Sequence, residues 1–107
     1  MINNPLKYAN TLFELAHDNG CIDLISQQID DLQYLHNKIP VFKMVLVTKR
    51  LKNEQKIEIL KNTLKNFNSL LIELLILIIN DNQINNLSMI INRFKYLSKD
   101  SSSSNTI

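Results

Sequence analysis

Few residues of this 107-residue chain combine the types and spacing that catalysis or metal binding requires. The two histidines, His17 and His36, fall on different predicted helices, and neither has a second histidine at metal-ligand spacing. Asp30 and Asp31 are sequence neighbours, so on a helix their carboxylates point about 100° apart and do not converge as an acid–base pair. Cys21 is the only cysteine, and no histidine–acid pair near it in sequence would activate it. We therefore expect cap, surface or packing roles for these side chains.

Composition and charge exclude further classes of function. The single glycine, Gly20, excludes a glycine-rich phosphate loop. Together with the scattered His, Cys and Asp residues, this leads us to expect no catalysis, no metal and no cofactor. The 12 basic and 10 acidic residues give a net charge of +2, which is not the charge pattern of a nucleic-acid-binding protein. The one basic cluster, Lys-Arg-Leu-Lys at residues 49–52, is interpreted as a solvated turn. Contact with anionic lipid or nucleic acid is the alternative.

The elements that must position any site are predicted to be helices. Hydrophobic residues make up 45% of the chain, with one Gly and two Pro, which favours one helical globular domain. Apolar spacing predicts six helices. Five of them cover about residues 5–17, 21–37, 40–46, 54–64 and 83–97. The remaining one, the fifth in chain order, begins after a cap at Asn66 or Asn68 and ends at Asn80. We predict an all-α fold, a six-helix bundle over residues 1–98, followed by a disordered, serine-rich C-terminal tail over residues 99–107. Asn4 and Asn53 are predicted helix caps.

The start of the chain shows no secretion signal and no arginine-rich presequence, so we expect neither secretion nor import by a cleavable transit peptide.

The predicted fifth helix is unusually apolar. Residues 70–79 are all aliphatic except Glu73, and the run is about half the roughly 20 residues needed to cross a bilayer, so we expect no direct membrane insertion. A helix that is apolar on every side is either wrapped by neighbouring helices or covered by a partner. We keep both interpretations: a central core helix, or a helix whose edge near Leu74, Leu77 and Ile78 completes a groove for an external helix.

Three segments share their order and spacing with a known family. They are YANTLFELAHDNG at residues 8–20, the polar turn and leucine-containing helix at 49–64, and LIELLILIINDNQINNLSMIINRF at 71–94. Together they resemble the N-terminal domain of the delta subunit of F-type ATP synthases, whose mitochondrial counterpart is the oligomycin-sensitivity-conferring protein. The resemblance covers residues 6–98.

The chain departs from the family pattern at several positions. Gln83 stands where the family often has Arg, no Pro occurs near Thr48, and Asn82 takes a position that is usually Gly. The family's second, C-terminal domain is absent from this sequence, which is consistent with an excised domain, half of a split gene or a shortened homologue.

The resemblance implies a non-catalytic stator subunit in the peripheral stalk of the ATP synthase. Such a subunit binds the N-terminal helix of an alpha subunit at the top of the catalytic head and supports proton-driven ATP synthesis. The stalk b subunit is then contacted through the missing C-terminal domain. The implied location is peripheral, on the cytoplasmic face of a bacterial membrane or the matrix side of an organelle inner membrane.

The groove for the alpha-subunit helix is implied between the first and fifth helices, with Tyr8 at its rim. The residues that match its positions are Tyr8, Thr11, Leu12, Leu15, Leu74, Leu77, Ile78 and Asp81. For each of them, packing within the domain is the alternative.

Two other functions remain open from the sequence. One is a generic helical adaptor or an RNA-binding bundle of the transcription-antitermination kind. The other is a homo-oligomer that uses the apolar fifth helix as its interface.

Overall fold

The computed structural model describes residues 4–103, with side-chain positions for residues 4–99, and contains six α-helices and a short 3-10 helix. The α-helices are α1 (Leu6–Asp18), α2 (Ile22–Lys38), α3 (Pro40–Val47), α4 (Asn53–Thr63), α5 (Ser69–Asn80) and α6 (Leu87–Ser103), and the 3-10 helix (Ile84–Asn86) directly precedes α6. No strand occurs within residues 4–103. The all-α, six-helix prediction is confirmed.

Two turns contain the left-handed residues that end α1 and α5. Gly20 has φ +68°, and the Cys21 N–H donates to the Ala16 carbonyl at 2.9 Å, which closes the last turn of α1. Asn82 has φ 59° at the end of α5, a backbone conformation that asparagine tolerates better than most residues. Both turns are therefore set by local sequence.

Side-chain caps fix the starts of α1 and α5. Asn4 Oδ1 accepts the Leu6 N–H at 3.0 Å, which is the bond expected of a cap at Asn4, but α1 begins at Leu6 and Pro5 is the residue directly before it. Asn68 Oδ1 accepts the Leu70 N–H at 2.8 Å, which selects Asn68 over Asn66 as the cap of α5. The Asn68 N–H in turn donates to Gln28 Oε1 on α2, also at 2.8 Å. The start of α5 is thereby joined to α2.

Two predicted helix ends are wrong. Asn53 is the first residue of α4 and not its cap, because Gln55 Oε1 accepts the Lys52 N–H at 2.9 Å and so places the helix start one residue earlier. The last helix continues to Ser103, beyond the predicted end near Leu97, because no Gly or Pro interrupts the segment. Residues 104–107 of the predicted tail lie outside the described residues.

The core is formed around α1, which packs against both α6 and α5, with α2 packed on α6 and α4 on α5. On α5, Leu71, Leu75, Ile78 and Ile79 are at most 1% exposed, so most of this apolar helix is core. Phe94 of α6 is also buried, and its ring meets Phe13 of α1 edge to face with centroids 6.1 Å apart. This packing brings α1 and α5 side by side. Within residues 4–103, no helix is both long enough and apolar enough to span a membrane.

Candidate partner-binding groove

An open groove runs along the surface between α1 and α5. It encloses about 170 Å³. Five of the eight predicted site residues line it, Thr11, Leu12, Leu15, Leu74 and Leu77, together with Leu70 and Glu73. The groove is therefore built from the two helices that the sequence indicated.

The floor and the walls of the groove differ in exposure. Leu12 is 1% and Leu74 is 9% exposed, so these two leucines form a floor that also belongs to the core. Leu15 on α1 and Leu77 on α5 are 42% and 45% exposed, and they present apolar side chains to water. Their positions follow from helix geometry, because residues three or four apart share a face. The result is a concave apolar surface with two half-exposed leucines.

Tyr8 does not lie on the rim, which corrects the sequence interpretation. Its side chain is 1% exposed, because the stripe of α1 that carries it is covered by neighbouring helices. Its hydroxyl donates to Asp81 Oδ2 at 2.6 Å. Burial, and then the hydrogen bond and negative charge of Asp81, raise the pKa of Tyr8 to about 12. Tyr8 and Asp81 thus tie α1 to the end of α5 instead of lining the groove.

Ile78 also lies outside the groove. It is 0% exposed and faces the core, because successive residues point about 100° apart on a helix and Leu77 takes the outward position. A partner helix resting in the groove of this structure does not reach it. Of the predicted site residues, Tyr8, Ile78 and Asp81 are therefore supporting rather than lining residues.

Two lining residues, Leu70 and Glu73, were missed from the sequence. Leu70 precedes Leu74 and Leu77 by four and seven positions, so extending that helical stripe by one turn would have found it. Glu73 is exposed and is the only charged side chain among the lining residues. It places a carboxylate beside an otherwise apolar surface, where a basic residue of a partner would be favoured.

The residues that the sequence analysis considered for catalysis or metal binding lie far apart or on the surface. His17 is exposed and lies 3.8 Å from Asp18, whereas His36 is buried and its Nδ1 lies 3.5 Å from Asn37 Oδ1. Among residues 4–99, no three His, Cys, Asp or Glu side chains come close enough together to hold a metal ion. The predicted residues that the structure does bring together are those lining the apolar groove between α1 and α5.

A comparison with protein families shows to which family the chain belongs. The sequence matches the family described as ATP synthase delta (OSCP) subunit over residues 6–106, which is nearly its whole length. The chain belongs to the ATP synthase delta (OSCP) subunit family. The match confirms the resemblance seen in the sequence. Membership of this family identifies the chain as a peripheral-stalk subunit of a membrane-associated ATP synthase. Searches of curated proteins and of solved structures returned no match.

Proposed function

We propose that this delta-family chain binds the N-terminal helix of an alpha subunit in the groove between α1 and α5. The observation that carries the proposal is the pair Leu15 and Leu77, which face water on adjacent helices at positions assigned by the family resemblance. A groove between two helices accepts the apolar face of a third, amphipathic helix. The apolar lining between two helices therefore suits such a helix.

The exposed leucines set a scale for the binding free energy. Complete burial of a leucine side chain contributes about 1.5–3 kcal/mol. Since Leu15 and Leu77 are 42% and 45% exposed, covering both contributes about as much as burying one whole leucine. A micromolar dissociation constant requires about 8 kcal/mol. Most of the binding free energy must therefore come from aliphatic side chains of the partner that enter the groove.

Polar groups at the groove favour one direction of the partner helix over the other. Thr11 is exposed on α1 and Glu73 is exposed on α5, so the two walls differ in charge. A partner helix with a Lys or Arg beside its apolar stripe places that cation next to Glu73 in one orientation only. Such a surface pair adds little affinity, of order 0–1 kcal/mol, but it favours one direction of docking.

This contact would place the chain at the top of the catalytic head. A stator subunit there is non-catalytic: it holds the head against the torque of the rotor, so that proton flow drives ATP synthesis. Contact with the stalk b subunit is proposed through the family's C-terminal domain. The location would be the cytoplasmic face of a bacterial membrane or the matrix side of an organelle inner membrane.

The test is an amide-shift NMR titration of the whole chain with a peptide from the N-terminus of its own alpha subunit, about 20–25 residues and so several helical turns. We expect saturable shifts on α1 and α5. Leu77→Asp should weaken binding at least about tenfold and leave the helical content unchanged, since the side chain is already 45% exposed.

Leu24→Asp is the matched control for this titration. Leu24 is the same residue type and is also 45% exposed, but it lies on α2 and does not line the groove. It should bind the peptide like the unaltered chain. Equal weakening by Leu24→Asp and Leu77→Asp, or no shifts with excess peptide, would count against the proposed groove.

A further inference from the structure

The groove between α1 and α5 runs between two antiparallel helices. Tyr8, near the start of α1, donates a hydrogen bond to Asp81, directly after the end of α5, at 2.6 Å. The lining residues follow Tyr8 on α1 and precede Asp81 on α5. In a parallel pair joined at these positions, residues 70–77 would lie before the start of α1 and could not face residues 11–15. The groove therefore has a first end, where α1 begins and α5 ends, and a second end, where α1 ends and α5 begins.

The exposed stripe of α1 beside the groove carries one charge at each end. Lys7, Thr11, Leu15 and Asp18 are spaced i, i+4, i+8 and i+11, so they share one face of the helix. All four residues are exposed, and Thr11 and Leu15 line the groove itself. The stripe spans about 16 Å, or about three helical turns. It therefore sets a cation at the first end of the groove and a carboxylate at the second.

The opposite wall adds a second carboxylate in the same half of the groove. Because Asp81 lies against Tyr8, an equal rise along two antiparallel helices places Glu73 near residue 16 of α1. Glu73 is exposed and lines the groove. Asn80, which shares a face of α5 with Glu73 seven positions earlier, is exposed and uncharged at the first end. The groove is thus acidic towards its second end and basic at its first.

The charges on α1 oppose the dipole of the helix that carries them. Lys7 lies in the first turn of α1, where positive charge is unfavourable, and Asp18 is its last residue, where negative charge is unfavourable. Within residues 4–99, neither Lys7 nor Glu73 has an ion-pair partner, and Asp18 has only His17, at 3.8 Å. A second helix lying antiparallel on this stripe would bring a dipole of the opposite direction to the same charges. Both unfavourable interactions would then be offset by favourable ones.

We infer that the groove is directional: it accepts a partner helix antiparallel to α1, with its N-terminal turn beside Asp18 and Glu73 and its C-terminal turn beside Lys7. This inference rests on the proposed function, since it takes an amphipathic helix as the occupant. The free amides at a helix N-terminus carry partial positive charge, and the free carbonyls at its C-terminus carry partial negative charge. The occupant is therefore a helix of about three turns, and a Lys or Arg in its first turn strengthens the contact.

The test locates the two ends of a bound peptide by paramagnetic broadening of amide signals of the whole chain. The peptide is the N-terminal segment of the chain's own alpha subunit, with a nitroxide at the first or the last helical residue. The label is coupled through a thioether, because Cys21 is a free thiol that could exchange with a disulfide-linked label. The N-terminal label should broaden residues 15–20 and 69–73 most strongly, and the C-terminal label residues 6–10 and 77–82.

The outcomes separate the direction of binding from binding itself. We expect a preference of about tenfold for the stated direction at about 50 mM salt, which weakens towards 500 mM as the charges are screened. The opposite pattern of broadening, or equal broadening at both ends by each label, would overturn the directional inference and leave the groove intact. Absence of saturable shifts on α1 and α5 would instead refute the proposed function.

A charge-reversed variant tests the cause of the preference. The triple variant Lys7→Glu, Asp18→Lys and Glu73→Lys should reverse the preferred direction of the peptide. It should fold, because all three positions are exposed and the two changes on α1 now agree with the dipole of that helix. Urea unfolding should therefore show no loss of stability.

Asp31→Lys is the matched control for charge. It changes the net charge by the same +2 as the triple variant, but residue 31 is exposed on α2 and does not line the groove. It should leave the direction unchanged. A triple variant that keeps the original direction, or an equal effect of Asp31→Lys, would show that these charges do not orient the partner.

Discussion

Replacing Tyr8 with phenylalanine removes the hydroxyl that donates to Asp81 Oδ2 at 2.6 Å and leaves the aromatic ring in place. Asp81 is only partly exposed, so water replaces the lost donor incompletely. Hydrogen bonds to charged groups contribute about 1.5–3 kcal/mol. We expect Tyr8→Phe to lower the free energy of unfolding at neutral pH by an amount near the lower end of that range.

The same bond makes stability depend on high pH, with a defined sign. Burial and the Asp81 carboxylate raise the pKa of Tyr8 from 10.0 to about 12, so the folded state holds the phenolic proton more tightly than the unfolded state does. The stabilisation is therefore complete below pH 10 and is lost as the pH rises towards 12.

Urea unfolding followed by circular dichroism, repeated across this pH range, checks both expectations. The difference in unfolding free energy between the unaltered chain and Tyr8→Phe should be constant up to about pH 9 and should shrink above pH 10. Taking this difference cancels the titration of the lysines. Tyr34→Phe is the control, because Tyr34 is 61% exposed. Equal stability of Tyr8→Phe and the unaltered chain at neutral pH, or a difference that does not shrink, would refute the reasoning.

Three other substitutions test the packing, each by urea unfolding. Leu75→Asp should unfold the domain, because residue 75 is 1% exposed and a buried unpaired charge costs more than about 4 kcal/mol; a folded variant would contradict this assignment. Lys56 is 7% exposed and has no ion-pair partner within the described residues, so its aliphatic stem is its main contribution. Lys56→Met should therefore change stability by less than about 1 kcal/mol, whereas Lys56→Ala should cost about 2 kcal/mol; similar losses for both would point to the charge instead. Gly20→Ala should cost about 1–2 kcal/mol from the backbone at φ +68° alone, since an added Cβ meets nothing within 4 Å, and a larger loss would indicate an unrecognised contact.

Helices and turns were predictable because their signals are local. The apolar spacing defined six helices, and Gly20 and Asn82 marked the two left-handed turns. Helix ends were less predictable where two local signals competed. At the start of α4 the side chain of Gln55 overrode the expected cap at Asn53. At the end of α6 the helix continues to Ser103, because the segment contains no Gly or Pro to end it.

The groove was only partly predictable because exposure is a tertiary property. The stripe on α1 contains Tyr8, Leu12 and Leu15, and nothing in its periodicity shows that the first two are covered while the third is 42% exposed. The Tyr8–Asp81 bond joins residues 73 positions apart, and no local pattern predicts such a pairing. Family resemblance indicated the two helices between which the structure has a groove, and packing decided which side chains of each face it.

The polar bonds at the two ends of α5 have a consequence for the uniqueness of the fold. The middle of this helix is nearly uniform in Leu and Ile, so rotating it by one residue or sliding it by one turn would still bury aliphatic side chains. Such alternatives would break the bond from Asn68 to Gln28 at its start and the bond from Tyr8 to Asp81 at its end. These bonds therefore fix the register of α5, and aliphatic exchanges in its middle should be tolerated more readily than changes at its ends.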